Sequence, residues 1–138
     1  MATINMSFPK PRECQVKMAA MSYADTTAKE LFVLPKYAVI TGIYVIGNVA
    51  SNATTTGTLS IGSSATATEY MSGFDVKTAA TGVGYNPAGG KAVGTAMMTP
   101  LTSDVHVYGI YAETGTGASA GNWVVKVEYF VTGPGETL

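Results

Sequence analysis

The chain has 138 residues and a mass of 14.2 kDa, the size of one domain. Charged residues make up 12% of it and hydrophobic residues 46%, with a formal charge of -1, whereas ordinary globular chains are about 25% charged. This balance excludes a disordered chain, which is charged and poor in apolar residues. It also excludes a nucleic-acid binder, which needs a clustered basic face to displace phosphate counterions.

A single cysteine, Cys14, excludes an internal disulfide framework and an all-cysteine metal site. The richest apolar stretch, Tyr37 to Ala50, is interrupted by Thr41, Gly42, Gly47 and Asn48, well short of the ~18 apolar residues of a membrane-spanning helix. The first residues hold no continuous apolar core of a signal peptide. The expectation is a protein made in the cytoplasm without a leader and without a membrane partner.

Residues 1–15 read as an extended N-terminal arm. Within it, Phe8-Pro9-Lys10-Pro11-Arg12 carries two prolines, each fixing its own φ and holding the residue before it extended. The arm is locally basic and is a candidate for docking on a partner. From residue 16 to 133 the signals are those of strands, and 134–138 is a short tail after Gly133. Strands are expected over 16–23, 29–34, 38–49, 58–62, 66–71, 74–78, 94–98, 104–113 and 122–131. The 38–49 segment is the strongest, being rich in Val, Ile and Tyr, which suit a pleated surface. Small polar loops cover 50–57 and 114–121, and a Gly/Ala-rich loop covers 79–93. No segment keeps a helical period and no internal repeat appears. The fold class is all-β: an antiparallel β-sandwich, jelly-roll-like, in one domain with an N-terminal arm.

Alternation predicts what each strand faces. In 122–131, Trp123, Val125, Val127, Tyr129 and Val131 share one face, with mostly polar residues opposite. Two other strands are apolar on both faces. Val39, Ile43, Val45 and Val49 oppose Ile40, Tyr44 and Ile46; Val105, Val107 and Tyr111 oppose His106, Tyr108 and Ile110. In a two-layer sandwich the second face of such a strand must meet a loop or another subunit. With so few charges to cover the surface, a homo-oligomer is expected, with Ile40, Tyr44, Ile46, Tyr108 and Ile110 at its interface.

No catalytic set is visible. The single histidine, His106, reads as a packed, hydrogen-bonded side chain, and Cys14 as an unreactive thiol. The nine carboxylates are scattered and form no calcium loop; Asp75 and Asp104 are the candidates should loop oxygens hold calcium. The glycines between 82 and 90 follow no phosphate-binding pattern. Tyr37, Tyr44, Tyr85, Tyr108 and Tyr111 suit either interface anchors or platforms for sugars. No enzyme activity, cofactor or metal is expected.

The stretch from Tyr23 to Ile40, an apolar strand ending in Leu34-Pro35, a short turn and a Val/Ile-rich strand, resembles the head decoration, or cement, proteins of tailed bacteriophages. The Gly57–Gly62 strand, the Tyr70–Thr78 region, the Thr-rich approach at Thr99–Thr102 and the closing Trp123–Tyr129 strand fit the same pattern, so the likeness spans residues 16–132. The resemblance implies a non-enzymatic virion protein on the outer capsid surface, a homotrimer at three-fold or quasi-three-fold positions, with the major capsid protein as partner. It implies no catalytic residues. The arm residues Phe8, Pro9, Lys10, Pro11 and Arg12 are then candidates for capsid contact. The alternative is a carbohydrate- or receptor-binding fibre module recognising a host-surface glycan, with Tyr85 and Asn86 in the recognition loop.

Overall fold

A computed structural model describes residues 13–66, 68–78, 83–84 and 99–134. Eight strands run β1 (Gln15–Ser22), β2 (Lys29–Leu34), β3 (Ala38–Val49), β4 (Thr56–Gly62), β5 (Met71–Asp75), β6 (Val83–Gly84), β7 (Val105–Thr114) and β8 (Asn122–Val131). They form two four-stranded sheets, ordered β1-β8-β3-β6 and β2-β7-β4-β5, and every pairing is antiparallel. The pairs β1–β8, β2–β7, β3–β6 and β4–β5 are nested. The chain is thus one long hairpin ribbon, turning between β4 and β5 and folded so that successive pairs fall in alternate sheets. The β8–β3 and β7–β4 pairings then join each sheet across its middle.

Between the sheets lies one core of buried residues that includes Leu34, Ile40, Ile43, Leu59, Ile61, Met71, Val107, Trp123, Val125 and Tyr129. Each such aliphatic or aromatic side chain contributes about 1.5–3 kcal/mol by leaving water. Tyr70 belongs to the same core, and burial, with the nearby Glu69 charge adding, pushes its phenol up to about 12.

Local chemistry sets the strand ends. Pro35 closes β2, and Tyr37 takes a φ of 69° at the corner before β3. That corner is held by Tyr37 N–H on the Leu101 carbonyl at 2.9 Å and by Thr132 N–H on the Tyr37 carbonyl at 3.0 Å. Between β1 and β2 the Asp25 carboxylate accepts the Ser22 N–H at 2.7 Å, fixing the turn through a side chain that mimics a backbone acceptor.

Strand β3 departs from simple alternation in two places. Ile40 pairs with Tyr129 and Gly42 with Glu128, leaving Thr41 as an extra residue; likewise Gly47 pairs with Trp123 and Val49 with Asn122, leaving Asn48 extra. Each bulge reverses the side to which the chain beyond it points. Ile40 is therefore not on the outer face with Tyr44 and Ile46, as alternation predicts: it is 1% exposed in the core with Ile43 and Val45. Val49 moves the other way, from the expected core side to the surface, at 45% exposure. The first bulge is built locally. The Thr41 hydroxyl donates to the Glu128 carbonyl at 3.1 Å. The Tyr44 ring lies over Gly42, where an added Cβ would sit 2.7 Å from the phenol oxygen.

Other differences from the sequence reading are small. In place of the two short strands expected at 66–71 and 74–78 there is one, β5. Residues 63–66 turn away from β4, Glu69 and Tyr70 bend into β5, and Val76, Lys77 and Thr78 turn around the Asp75 carboxylate. Part of the expected 79–93 loop pairs with β3 as β6. The 94–98 strand lies outside the described residues. Val131, at the end of β8, is 36% exposed despite sharing the parity of the core residues.

If the Thr41 bulge sets the faces of β3, Ile40→Ala should lower unfolding stability by about 2–5 kcal/mol as a core truncation. Val49→Ala, at the position that the Asn48 bulge turns to the surface, should cost about 1 kcal/mol or less. Urea unfolding of the two variants checks this.

Candidate functional site

Among the described residues, two broad surfaces and an open groove near the single histidine are available for recognition. The first surface is the outer face of the β1-β8-β3-β6 sheet. Across it the register aligns Met18 with Lys126 and Tyr44, and Ala20 with Val124 and Ile46. Val16 and Met18 are exposed, the latter at 61%. The face is apolar with one internal charge pair. The Lys126 ammonium sits 2.9 Å from the Glu128 carboxylate and 4.7 Å from the centre of the Tyr44 ring. The Tyr44 hydroxyl completes the set at 3.4 Å from Glu128. The charges of this face answer one another and add no net charge to it.

The second surface is the outer face of the β2-β7-β4-β5 sheet. There Val33, Tyr108 and Ile110 are half-buried in the isolated chain. Tyr108 and Ile110 alternate with Val107 and Tyr111, which point into the core. The expected interface residues thus separate: Tyr44 and Ile46 lie on one face of the sandwich, Tyr108 and Ile110 on the other, and Ile40 on neither.

The single histidine is hydrogen-bonded but not packed. His106 is 55% exposed at the side chain, with Nδ1 3.0 Å from the Glu30 carboxylate. Beside it an open groove of about 480 Å³ is lined by Ser63, Ser64, Ala65, Asp104, Val105, His106 and Tyr108. Glu69, bonded to the Ser63 N–H at 2.9 Å, stands next to it. This groove lies at the end of the sandwich where β1 begins. Lys17 of β1 bonds the Val33 carbonyl near the end of β2, and the Lys36 N–H just beyond β2 bonds the Asp104 carboxylate at 2.8 Å.

The opposite end carries the 50–57 and 114–121 loops, which are tied to each other. The Asn52 side-chain oxygen accepts the N–H groups of Ser119 and Ala120 at 2.8 and 3.0 Å. The Glu113 carboxylate accepts the Ala118 N–H at 2.8 Å and the Tyr111 hydroxyl at 2.9 Å. Ser51 and Tyr111 share a buried hydrogen bond of 2.6 Å. Tyr111 is stacked on Trp123 at 5.5 Å, and burial raises its phenol pKa. It is a core residue and offers no platform for a sugar.

The calcium candidates have local roles. Asp75 accepts the backbone N–H groups of Lys77 at 2.8 Å and Thr78 at 3.0 Å, and Asp104 holds the β2–β3 corner. Among the described residues no three His, Cys, Asp or Glu side chains group to hold a metal ion. Cys14 is exposed. Phe8, Pro9, Lys10, Pro11 and Arg12 of the arm, and Tyr85 and Asn86, lie outside the described residues. Sequence reasoning misses the groove. Its walls come from the ends of β4 and β7, distant in sequence, and only the β4–β7 register joins them.

No protein-family model matches this sequence, and no curated protein is similar to it. The fold, however, matches a chain of the cyanophage Pam1 capsid asymmetric unit, with a TM-score of 0.63 and 22% identity over 96% of this chain and 93% of that one. It also matches a chain of the acidic stable capsid of Helicobacter pylori bacteriophage KHP30, with a TM-score of 0.60 and 16% identity over 87% of this chain and 90% of that one. The chain therefore has a β-sandwich fold that occurs in bacteriophage capsids.

The Asp75 turn gives a pH signature. The Thr78 N–H, more than the smaller contributions of the Thr78 hydroxyl and of Lys77, holds the Asp75 carboxyl below its ordinary 3.8 against a partial desolvation. A depressed folded-state pKa contributes stability above the unfolded value that is lost as pH falls through and below it. Asp75→Asn should therefore be less stable than the parent at pH 7, and the difference should shrink as pH drops below about 4. Thermal unfolding of both proteins from pH 7 to pH 3 checks it.

Proposed function

We propose that this chain is a non-enzymatic structural protein of a phage virion that binds the outer surface of the capsid as a homotrimer. The observation that carries this reading is the fold shared, over nearly the full length, with chains of two phage capsids. The nested ribbon and its strand order support a reading of the sandwich as two Greek keys wrapped into a jelly roll.

The trimer reading is supported by where the apolar residues lie. Tyr44 and Ile46 occupy one outer face and Tyr108 and Ile110 the other. A two-fold axis would pair one patch with itself and leave the other bare. A heterologous contact, one face of a copy against the other face of the next, uses both, and it closes into a ring of three when the rotation from copy to copy is a third of a turn. On the first face the only charges beside these apolar side chains, Lys126 and Glu128, pair with each other, and aromatic and aliphatic side chains of this kind are what interface cores enrich.

In such a ring the ends of the sandwich remain free. The end where β1 begins, with arm residues Phe8 to Arg12 attached, is the one proposed to face the shell and the major capsid protein. Affinity then comes from three copies held together on a lattice, where a second contact forms at high effective concentration. A protein bound across assembled subunits and not to dissociated ones stabilises the shell by linkage. Because the outer face of the β1-β8-β3-β6 sheet adds no net charge, its apolar contact should itself depend little on salt.

Ile46→Glu and Ile110→Glu place a charge at the middle of each contact. Each variant alone should remain folded by circular dichroism and run as a monomer near 14.2 kDa by light scattering. Mixed in equal amounts, they keep one intact contact between them and should form a heterodimer. Their binding to shells stripped of this protein should weaken by at least about a hundredfold, the avidity gain of linked sites. Trimers that survive both substitutions, or monomers in the parent protein, would overturn the ring.

A further inference from the structure

We infer that the groove beside Tyr108 is the docking site for residues 8–12 of a neighbouring copy, so that the arm of each subunit straps the next. The inference rests on the trimer proposed above and adds the partner of a site that the fold by itself leaves unexplained.

Three observations converge on this occupant. The first is charge. Asp104 lines the groove, Glu30 is 3.0 Å from His106 on its wall, and Glu69 is bonded to Ser63 at its rim. The lysines at this end are Lys17, bonded to the Val33 carbonyl, and Lys36, whose ammonium lies over the Tyr37 ring at 4.9 Å. Three carboxylates thus face two lysines that are already engaged by their own chain. The described body as a whole is acidic in the same sense, with Lys17, Lys29, Lys36, Lys77 and Lys126 against eight carboxylates, while Lys10 and Arg12 stand in the arm.

The second is shape chemistry. Phe8-Pro9-Lys10-Pro11-Arg12 alternates proline with large or basic residues. Proline-rich extended segments dock in shallow grooves floored by an aromatic ring, with little ordering cost because their backbone is already restricted. The groove here is open, about 480 Å³, and Tyr108 is its aromatic. Small side chains, Ser63, Ser64 and Ala65, form the facing wall and leave room for proline rings.

The third is placement. The arm leaves β1 at the same end of the sandwich at which the groove opens. Docking on its own body would take the arm from the β1 edge of one sheet to the outer face of the other through Glu13, Cys14 and a segment that carries two prolines. A neighbour packed on the β1 face would receive the arm without that turn. Phe8 is seven residue steps from Gln15, a reach of about 24 Å when extended, enough to cross the contact between two facing sheets. In the proposed ring the face bearing β1 packs on the neighbour's Tyr108 face, which brings the arm to that neighbour's groove and continues the same interface.

The test is disulfide trapping in the full chain. With Cys14→Ser as background, Arg12→Cys is paired with Ser64→Cys in the groove; Ala65→Cys repeats the test from the next position. These positions are exposed or in the arm, so the fold should be undisturbed. Arg12→Cys with Thr116→Cys, at the far end of the sandwich, is the control. After mild oxidation most of the groove pairs should migrate as covalent dimers and trimers on a non-reducing gel, and the control should not. An intramolecular link, seen as lost thiols in a monomer band, would overturn docking between copies. Trimers by light scattering that show no link would overturn the strap while leaving the ring intact. Monomers with no link would overturn both.

Discussion

The structure turns on the pairing of β3 with β8 in the middle of one sheet. Among the described residues, strand β8 is bonded on both sides to long partners in that sheet, β1 and β3. Its strict alternation of Trp123, Val125, Val127 and Tyr129 into the core fixes the plane against which β3 must settle. The bulges at Thr41 and Asn48 let β3 do so twice over. They bring Ile40 and Ala38 inward at one end and turn Val49 outward at the other. A one-residue change of register reverses every side chain beyond it, so these two extra residues decide both the core and the outer face that remains for a partner.

A second feature concerns the charges. Every lysine of the described residues has its ammonium engaged by its own chain. Lys17 and Lys29 cross reciprocally between β1 and β2, to the Val33 carbonyl and to the Ala20 carbonyl at 2.9 Å. Lys36 lies over the Tyr37 ring, Lys77 holds the Thr54 carbonyl at 2.7 Å, and Lys126 pairs with Glu128. Exposed edge strands are open templates for pairing with other chains, and lysine is a common way to block them. Here the two lacing lysines occupy carbonyls on the edges of both sheets. The carbonyls so engaged on β1 and β2 are closed to another chain, while the outer faces keep their exposed apolar side chains.

Much of this is legible in the sequence. The long strands fall within a residue or two of their expected bounds, because Val, Ile and Tyr alternate there and Pro35, Gly115 and Gly121 punctuate them. The two-faced character of β3 and β7 is legible for the same reason. The parity of β3 is not, since a bulge leaves no mark in the pattern of apolar residues; only the Thr41-Gly42 pair, with a glycine that can lie under Tyr44, hints at it. The apolar neighbours of His106 suggest a packed side chain, but its strand face is the outer one. Tyr111 shares the parity of Val107, and its place in the core, stacked on Trp123, follows that parity and not the role of interface anchor or sugar platform that tyrosine also suits. The groove is invisible in the sequence because its two walls meet only through the register of β4 and β7.

In the proposed arrangement a ring of these sandwiches sits on the outside of a phage head with the β1-start end toward the shell. A cryo-electron microscopy reconstruction of the virion should show three copies around a three-fold or quasi-three-fold axis, sheet face against opposite sheet face, with the Pro35 corner turned to the capsid. A monomer on the shell, or copies bound by the Asn52 and Ser119 end, would rule the arrangement out.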